Sequence, residues 1–200
     1  MEFGLLRCDA TPKSEVFATT AITQSVIPHW GYSVRLEAKY AIAKKIFLTL
    51  QPGIERMELD YRLDGLHFGQ DFNGIGFNDS HIIYSEQSLF FCLPLIAEYQ
   101  FTAGKFSPFL SIGASADFKL SSEQSAIIYY SDGTIDSACV ADLFRTNNYA
   151  AIANAGINYL ITKRIGFSVS ASFKYFFLRS EVDLQQYHLA GILGIYYIFK

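Results

Sequence analysis

Apolar and polar residues alternate with period two through most of the chain. Between residues 165 and 178, Phe167, Val169, Ala171, Phe173, Tyr175 and Phe177 share one parity, and Ser168, Ser170, Ser172 and Lys174 share the other. A strand sorts such residues onto two faces, whereas a helix scatters them. The same alternation runs through residues 32–42, 46–63, 88–101, 106–120, 149–161 and 187–200, with 2–8 as a short first strand. In the 46–63 stretch the phase slips near Arg56, as a β-bulge would cause. Eight strands result. Tight turns at 41–45, 102–105 and 162–164 alternate with long connections at 9–31, 64–87 and 121–148, and a connection of intermediate length spans 179–186. This regular alternation predicts an all-β, eight-stranded antiparallel up-and-down barrel, occupying residues 1–200 as one domain.

A soluble barrel hides its apolar face inside, and a transmembrane barrel inverts that assignment. Three features place the apolar face outside. The polar face is rich in small hydrogen-bonding residues, among them Ser111, Gly113, Ser115, Ser168, Ser170 and Ser172, which fit a narrow lumen that side chains must fill. These leave room for longer polar neighbours: Arg35, Glu37, Lys39, Gln51, Glu55, Glu98, Asp117, Lys119 and Lys174. The apolar face also ends in aromatics. Tyr40, Phe47, Tyr99, Phe101, Phe106, Tyr159, Tyr197 and Phe199 lie beside the tight turns, and Tyr61, Phe91, Phe118, Tyr175 and Phe177 lie toward the long loops. Two such rings, about nine to eleven residues apart, match the aromatic girdles of a tilted strand crossing a bilayer. Finally, the last strand is itself aromatic, reading Tyr196-Tyr197-Ile198-Phe199.

Composition turns this pattern into a location. The 200 residues are 50% hydrophobic, 16% aromatic and 18% charged, yet no apolar run approaches the roughly 18 residues of a spanning helix. Backbone groups in lipid must all be paired, which only helices and closed barrels achieve. The expected site is therefore the outer membrane, with the tight turns and both termini on the periplasmic side and the long loops outward. A net charge of −3 argues against a nucleic-acid partner. The expected partners are outer-membrane lipid and, through the long loops, a protein. The start of the chain, Met1 to Cys8, lacks the basic and apolar regions of a signal peptide. Cys8, Cys92 and Cys139 show no metal-type spacing.

Particular motifs add a family resemblance. The strand Leu93-Pro94-Leu95-Ile96, the strand Ser107-Pro108-Phe109-Leu110-Ser111-Ile112-Gly113, the triplet Leu50-Gln51-Pro52 and the run Ala155-Gly156-Ile157-Asn158-Tyr159 resemble marks of the outer-membrane β-barrel family common in Bacteroidetes, the porin-family or PorT-like domain. The resemblance spans nearly the whole chain and implies an eight-stranded membrane barrel without a catalytic signature. It makes an accessory role in secretion one option among anchoring, adhesion and uptake. Cys92 and the closing Lys200 depart from the pattern.

Candidate chemistry is sparse. The lumen charges read either as an ion path or as a salt-bridged plug, and eight strands favour the plug. His29, His67 and His81 fall in loops and His188 on the lumen side, without metal-ligand spacing, so no metal or cofactor is expected. A hydrolase would need one serine singled out beside His188, and no G-x-S-x-G occurs, so no enzyme is expected. A membrane-edge lipid enzyme and a soluble lipocalin-like carrier are the rival readings. The stretch Asp71 to Asp79 spaces oxygens as calcium ligands do, but lacks the terminal Glu of an EF-hand and reads as a glycine-rich turn. Ile127, Ile128, Tyr129, Tyr130, Val140, Leu143 and Phe144 in the 121–148 connection fit either a partner surface or packing over the barrel mouth.

Overall fold

A computed structural model of the chain describes residues 2–11, 23–70, 76–130, 133–137, 143–178 and 185–199. Its strands are β1 (Glu2–Thr11), β2 (Thr23–Pro28), β3 (Trp30–Arg35), β4 (Ala38–Ala43), β5 (Ile46–Leu50), β6 (Gly53–Gln70), β7 (Gly76–Gln100), β8 (Phe106–Tyr129), β9 (Ile135–Ser137), β10 (Asn147–Leu160), β11 (Ile165–Phe176) and β12 (Gln185–Phe199). Antiparallel pairing runs from β1 to β3, β6, β7, β8, β10, β11 and β12, and β12 pairs back onto β1. The circuit is closed and has eight staves, as the alternation predicts. Two staves are interrupted: β4 continues β3 past Leu36-Glu37, and β5 leads into β6 across Gln51-Pro52, where proline has no ladder N–H to give. Below Glu2, which faces both Gly194 and Arg35, β4 meets β12 directly in a short parallel pairing from Ala38/Tyr197 to Tyr40/Phe199.

Burial follows the alternation with the polar face inside. On β8, Leu110 and Ile112 are exposed, Ile112 at 70%, while Ser111, Ser115 and Asp117 are buried. The exposed residues from Phe106 to Phe118 span about 40 Å of strand, or about 30 Å of height at a tilt near 40°. That is the thickness of a bilayer's hydrocarbon core. No helix of the described residues is long and apolar enough to cross a membrane, and the strands do so instead. An exterior apolar belt around a polar interior is the signature of a transmembrane barrel of the outer-membrane type.

Three expectations need correction. Phe47 is not in the girdle; it is 7% exposed and packs inside with Tyr196 and Ile198. Its parity is that of Thr49 and Gln51, which face the lumen. Tyr61 is likewise buried, with Met57 and Leu59. No bulge occurs at Arg56: β6 pairs with β7 in unbroken register from Gly53/Cys92 to Asp64/His81. The alternation reverses there because β6 leaves the belt. Above Ile54 its outer face carries Arg56, Glu58, Asp60, Arg62 and Asp64, and its inner face becomes an ordinary apolar core. Near this height a register shift lies on β8 instead, where Leu89 faces Ser121 and Phe90 faces Lys119, leaving Leu120 as the extra residue.

The long connections are largely strand. β6 and β7 extend as a hairpin to Gln70 and Gly76, β8 runs on to Tyr129 and turns into β9, and β2 adds to the edge of β6. The calcium-like stretch falls partly on 71–75, outside the described residues, and its remainder is strand β7. Cys139, Val140 and the side chains of Cys8 and His67 also lie outside the description.

Candidate functional site

The parity of the strands turns the long polar side chains inward, and pairing across the barrel brings them together at three levels. Nearest the tight turns, Lys39 Nζ donates to Glu98 Oε2 at 2.7 Å and to Asn158 Oδ1 at 3.3 Å, and lies 3.2 Å from Glu37 Oε1. Gln100 and Asn158 each donate to the other Glu98 oxygen at 2.8 Å. The ammonium also sits over the rings of Tyr196 and Phe109, 4.1 and 5.3 Å from their centroids. Phe47, Tyr196 and Ile198 pack together beside it.

The middle level holds Arg35 paired with Glu55, and Lys174 Nζ 2.8 Å from Glu55 Oε2 and 2.6 Å from Asp117 Oδ2. Ser115 donates to Asp117. Two cations thus face two carboxylates, all four side chains buried. Glu55, Cys92 and Asp117 converge closely enough to resemble a metal site. The cation among them is the chain's own, since Lys174 Nζ is also 3.8 Å from Cys92 Sγ. His188 is enclosed at this level, its ring edge-on to Phe176 at 4.6 Å. It is turned into the lumen, on the face opposite the lipid-exposed Leu189.

The third level, toward the loops, centres on Glu86, which the sequence did not single out. Its Oε1 accepts from Lys119 Nζ at 2.8 Å, Ser88 Oγ at 2.5 Å and Ser122 Oγ at 2.8 Å. Its Oε2 accepts from the backbone N–H groups of Leu143 and Phe144 at 2.6 and 3.0 Å. Leu143 and Phe144 are buried in a cluster with Met57, Leu59, Tyr61, Phe90, Ala150 and Phe176. Of the two readings of this connection, its Leu143-Phe144 end packs over the barrel mouth. Gln186 Nε2 fixes it further by donating to the Leu143 carbonyl at 2.6 Å.

All nine sequence-derived lumen residues face inward and eight of them are fully buried, with Lys119 at the rim. Eleven of the thirteen girdle aromatics face outward; Phe47 and Tyr61 are the exceptions. Besides Glu86, sequence reasoning missed the lumen partners Gln100 and Asn158. Both share the inward parity of Glu98 and Asn154, which was the available signal. Between the two lower levels a polar-lined void remains beside Glu37, Gln51, Glu98 and Asn154, about 10 Å³ by the travel of a water-sized sphere, room for one water at most.

No family model matches the chain, and no curated protein matches it in sequence. Among solved structures it is similar to Ail, the attachment invasion locus protein of Yersinia pestis, at 10% identity over 98% of this chain and 94% of that one, with a TM-score of 0.35. It is similar to the Neisserial surface protein NspA at 10% identity, covering 96% and 94% of the two chains, with a TM-score of 0.34. The outer membrane protein OprG from Pseudomonas aeruginosa matches at 11% identity over 98% and 94%, with a TM-score of 0.38. The barrel assignment stands on the closed strand pairing and the inverted burial, independently of these likenesses.

Proposed function

We propose that the protein is a non-conducting outer-membrane barrel that serves as an anchored interaction module rather than a pore or an enzyme. The observation that carries this reading is the interior. Three levels of buried ion pairs and hydrogen bonds cross the lumen, and Leu143 and Phe144 close over them. Separating any of these pairs inside a low-dielectric interior would cost several kcal/mol per ion, so the network holds itself shut. The strands beyond the belt carry the interactive role: the β6–β7 hairpin, β8, β9 and β2 project from the loop end, where outer-membrane barrels face outward. Support for a secretion-accessory role within this reading comes from the resemblance of the Leu93-Pro94-Leu95 and Ser107-Pro108-Phe109-Leu110 strands to the PorT-like domain.

Planar-bilayer recording tests the sealed lumen. Reconstituted protein is expected to show no steady conductance, and nanosiemens-scale openings would overturn the reading. For the interactive role, a mild-detergent pull-down from the native membrane followed by mass spectrometry should recover a stoichiometric partner that is lost when residues 121–137 are removed.

A further inference from the structure

We propose that the lumen binds one monovalent metal cation, sodium or potassium, in the void beside Glu37, Gln51 and Asn154. This site rests on the sealed lumen proposed above, and its ion would supply the one charge that the chain's own side chains lack there.

The void lies where two neighbouring staves are interrupted. The Leu36 N–H donates to the Pro52 carbonyl at 2.9 Å, which ties the Leu36-Glu37 break to the Gln51-Pro52 break. Glu37 and Gln51 both turn inward there. Thr49 joins them from β5, Asn154 from β10 and Ser168 from β11. Each of the five carries a side-chain oxygen that is shut away from solvent and, among the described residues, makes no hydrogen bond. These are Glu37 Oε2, Thr49 Oγ1, Gln51 Oε1, Asn154 Oδ1 and Ser168 Oγ. Glu37, Thr49, Gln51 and Ser168 are no more than 8% exposed. Asn154 Nδ2 donates to Ser111 Oγ at 2.9 Å, which leaves Oδ1 as its unmatched end. Buried polar atoms are normally paired, so five around one void point to a shared partner.

Charge identifies that partner. The middle level sets Arg35 and Lys174 against Glu55 and Asp117, and the third level sets Lys119 against Glu86. Both are balanced. The level nearest the tight turns sets Lys39 alone against Glu37 and Glu98. Both oxygens of Glu98 are taken, by Lys39, Gln100 and Asn158. Glu37 meets Lys39 through Oε1 at 3.2 Å, and its Oε2 is unmatched. Among the described lumen side chains one negative charge is therefore left over, and the carboxylate that carries it lines the void. Buried charges are paired or coordinate metals. A water would serve this set poorly. It has two hydrogens to donate, whereas Glu37 Oε2, Gln51 Oε1 and Asn154 Oδ1 can only accept. A cation draws on all three, and on the lone pairs of the Thr49 and Ser168 hydroxyls. Oxygen ligands without nitrogen or sulfur suit a hard ion. A space of one water's size admits a dehydrated sodium or potassium ion. A divalent ion would turn the surplus positive, and magnesium keeps waters for which there is no room.

The test is equilibrium urea unfolding of the whole chain in a non-ionic detergent, read by the gel mobility of folded and unfolded forms. Total chloride is held constant while N-methylglucamine, too large for the void, is replaced stepwise by sodium or potassium. Refolding in each salt lets the ion enter before the lumen closes. Over a roughly hundredfold rise in sodium or potassium, the folded-to-unfolded ratio at fixed urea should rise at least about tenfold, because only the folded chain binds the ion. A rise below about twofold in both salts would overturn the site, since water or a proton would then fill the void. Glu37→Gln should abolish the rise. Thr49→Val keeps the volume but loses one ligand, and should move the rise to about threefold higher salt or beyond. Lys163→Ala, in an outer turn, should leave it intact. A rise that Glu37→Gln and Thr49→Val both retain in full would overturn the site, as would a rise in calcium chloride with none in the monovalent salts. Should Glu37→Gln fail to refold, Thr49→Val decides. Planar-bilayer conductance is read on the same preparation: a silent barrel without cation dependence overturns the site but leaves the seal, and a conducting one overturns both.

Discussion

Replacing Lys174 by Met probes the lumen network at its most connected point. The ammonium serves Glu55 at 2.8 Å and Asp117 at 2.6 Å, and methionine fills a similar volume without charge. The two carboxylates fare differently. Glu55 keeps Arg35, whereas Asp117, fully buried, keeps only the Ser115 hydroxyl. The loss is therefore the cost of one stranded buried carboxylate, about 3–5 kcal/mol. Equilibrium unfolding in urea, followed by the shift between folded and unfolded gel mobility, measures it. The double variant Lys174→Met with Asp117→Asn removes the stranded charge and should recover at least half of the loss. A single-variant effect below about 1 kcal/mol would refute the reasoning, because it would mean that Asp117 is solvated and the lumen is open to water.

Three further outcomes are expected. Gly113→Val should prevent folding or cost about 3 kcal/mol, because a Cβ there would come 2.2 Å from the Leu95 carbonyl oxygen and 2.8 Å from Ile96 Cα; Gly191→Ala, with nothing within 4 Å, should be neutral by the same gel assay. Glu86→Ala should release the Leu143–Phe144 cap, seen as faster trypsin cleavage after Arg145; an unchanged rate would show that the cluster holds the cap without Glu86. Phe47→Tyr should destabilise by about 1–2 kcal/mol, since its ring is enclosed with Tyr196 and Ile198; a girdle position would accept tyrosine at no cost.

Parity made the barrel wall legible. Within the apolar belt the choice of inward residues depends on period two, and sequence placed Arg35, Glu55, Asp117 and Lys174 on the face where they meet. Phe47 was misplaced because aromatic identity outweighed its parity with Thr49. The loop end was harder to read for a physical reason. At the edge of the bilayer the exterior solvent changes from lipid to water, so the rule for which face is apolar reverses. On β6 this reversal produced an apparent phase slip at Arg56 although the strand continues unbroken. On β8 the extra residue at Leu120 reverses the faces again, so Ala126 and Ile128 keep the parity of Leu110 and Ile112 while turning inward. Two reversals cancel in the sequence and leave no trace. Glu86 was hidden by the same transition, because Glu86, Gln87 and Ser88 are polar on both faces.

The central claim is that the apolar face meets lipid and the polar face meets neither lipid nor bulk water. Spin labels placed one at a time at Leu110, Ser111, Ile112, Ala114 and Ser115 of the reconstituted barrel, with collisional access to oxygen and to a polar nickel chelate measured at each, test it most directly. Labels at Leu110, Ile112 and Ala114 should collide freely with oxygen and hardly with the chelate, and those at Ser111 and Ser115 with neither. High chelate access at the outward positions, or at the inward ones, would contradict the account.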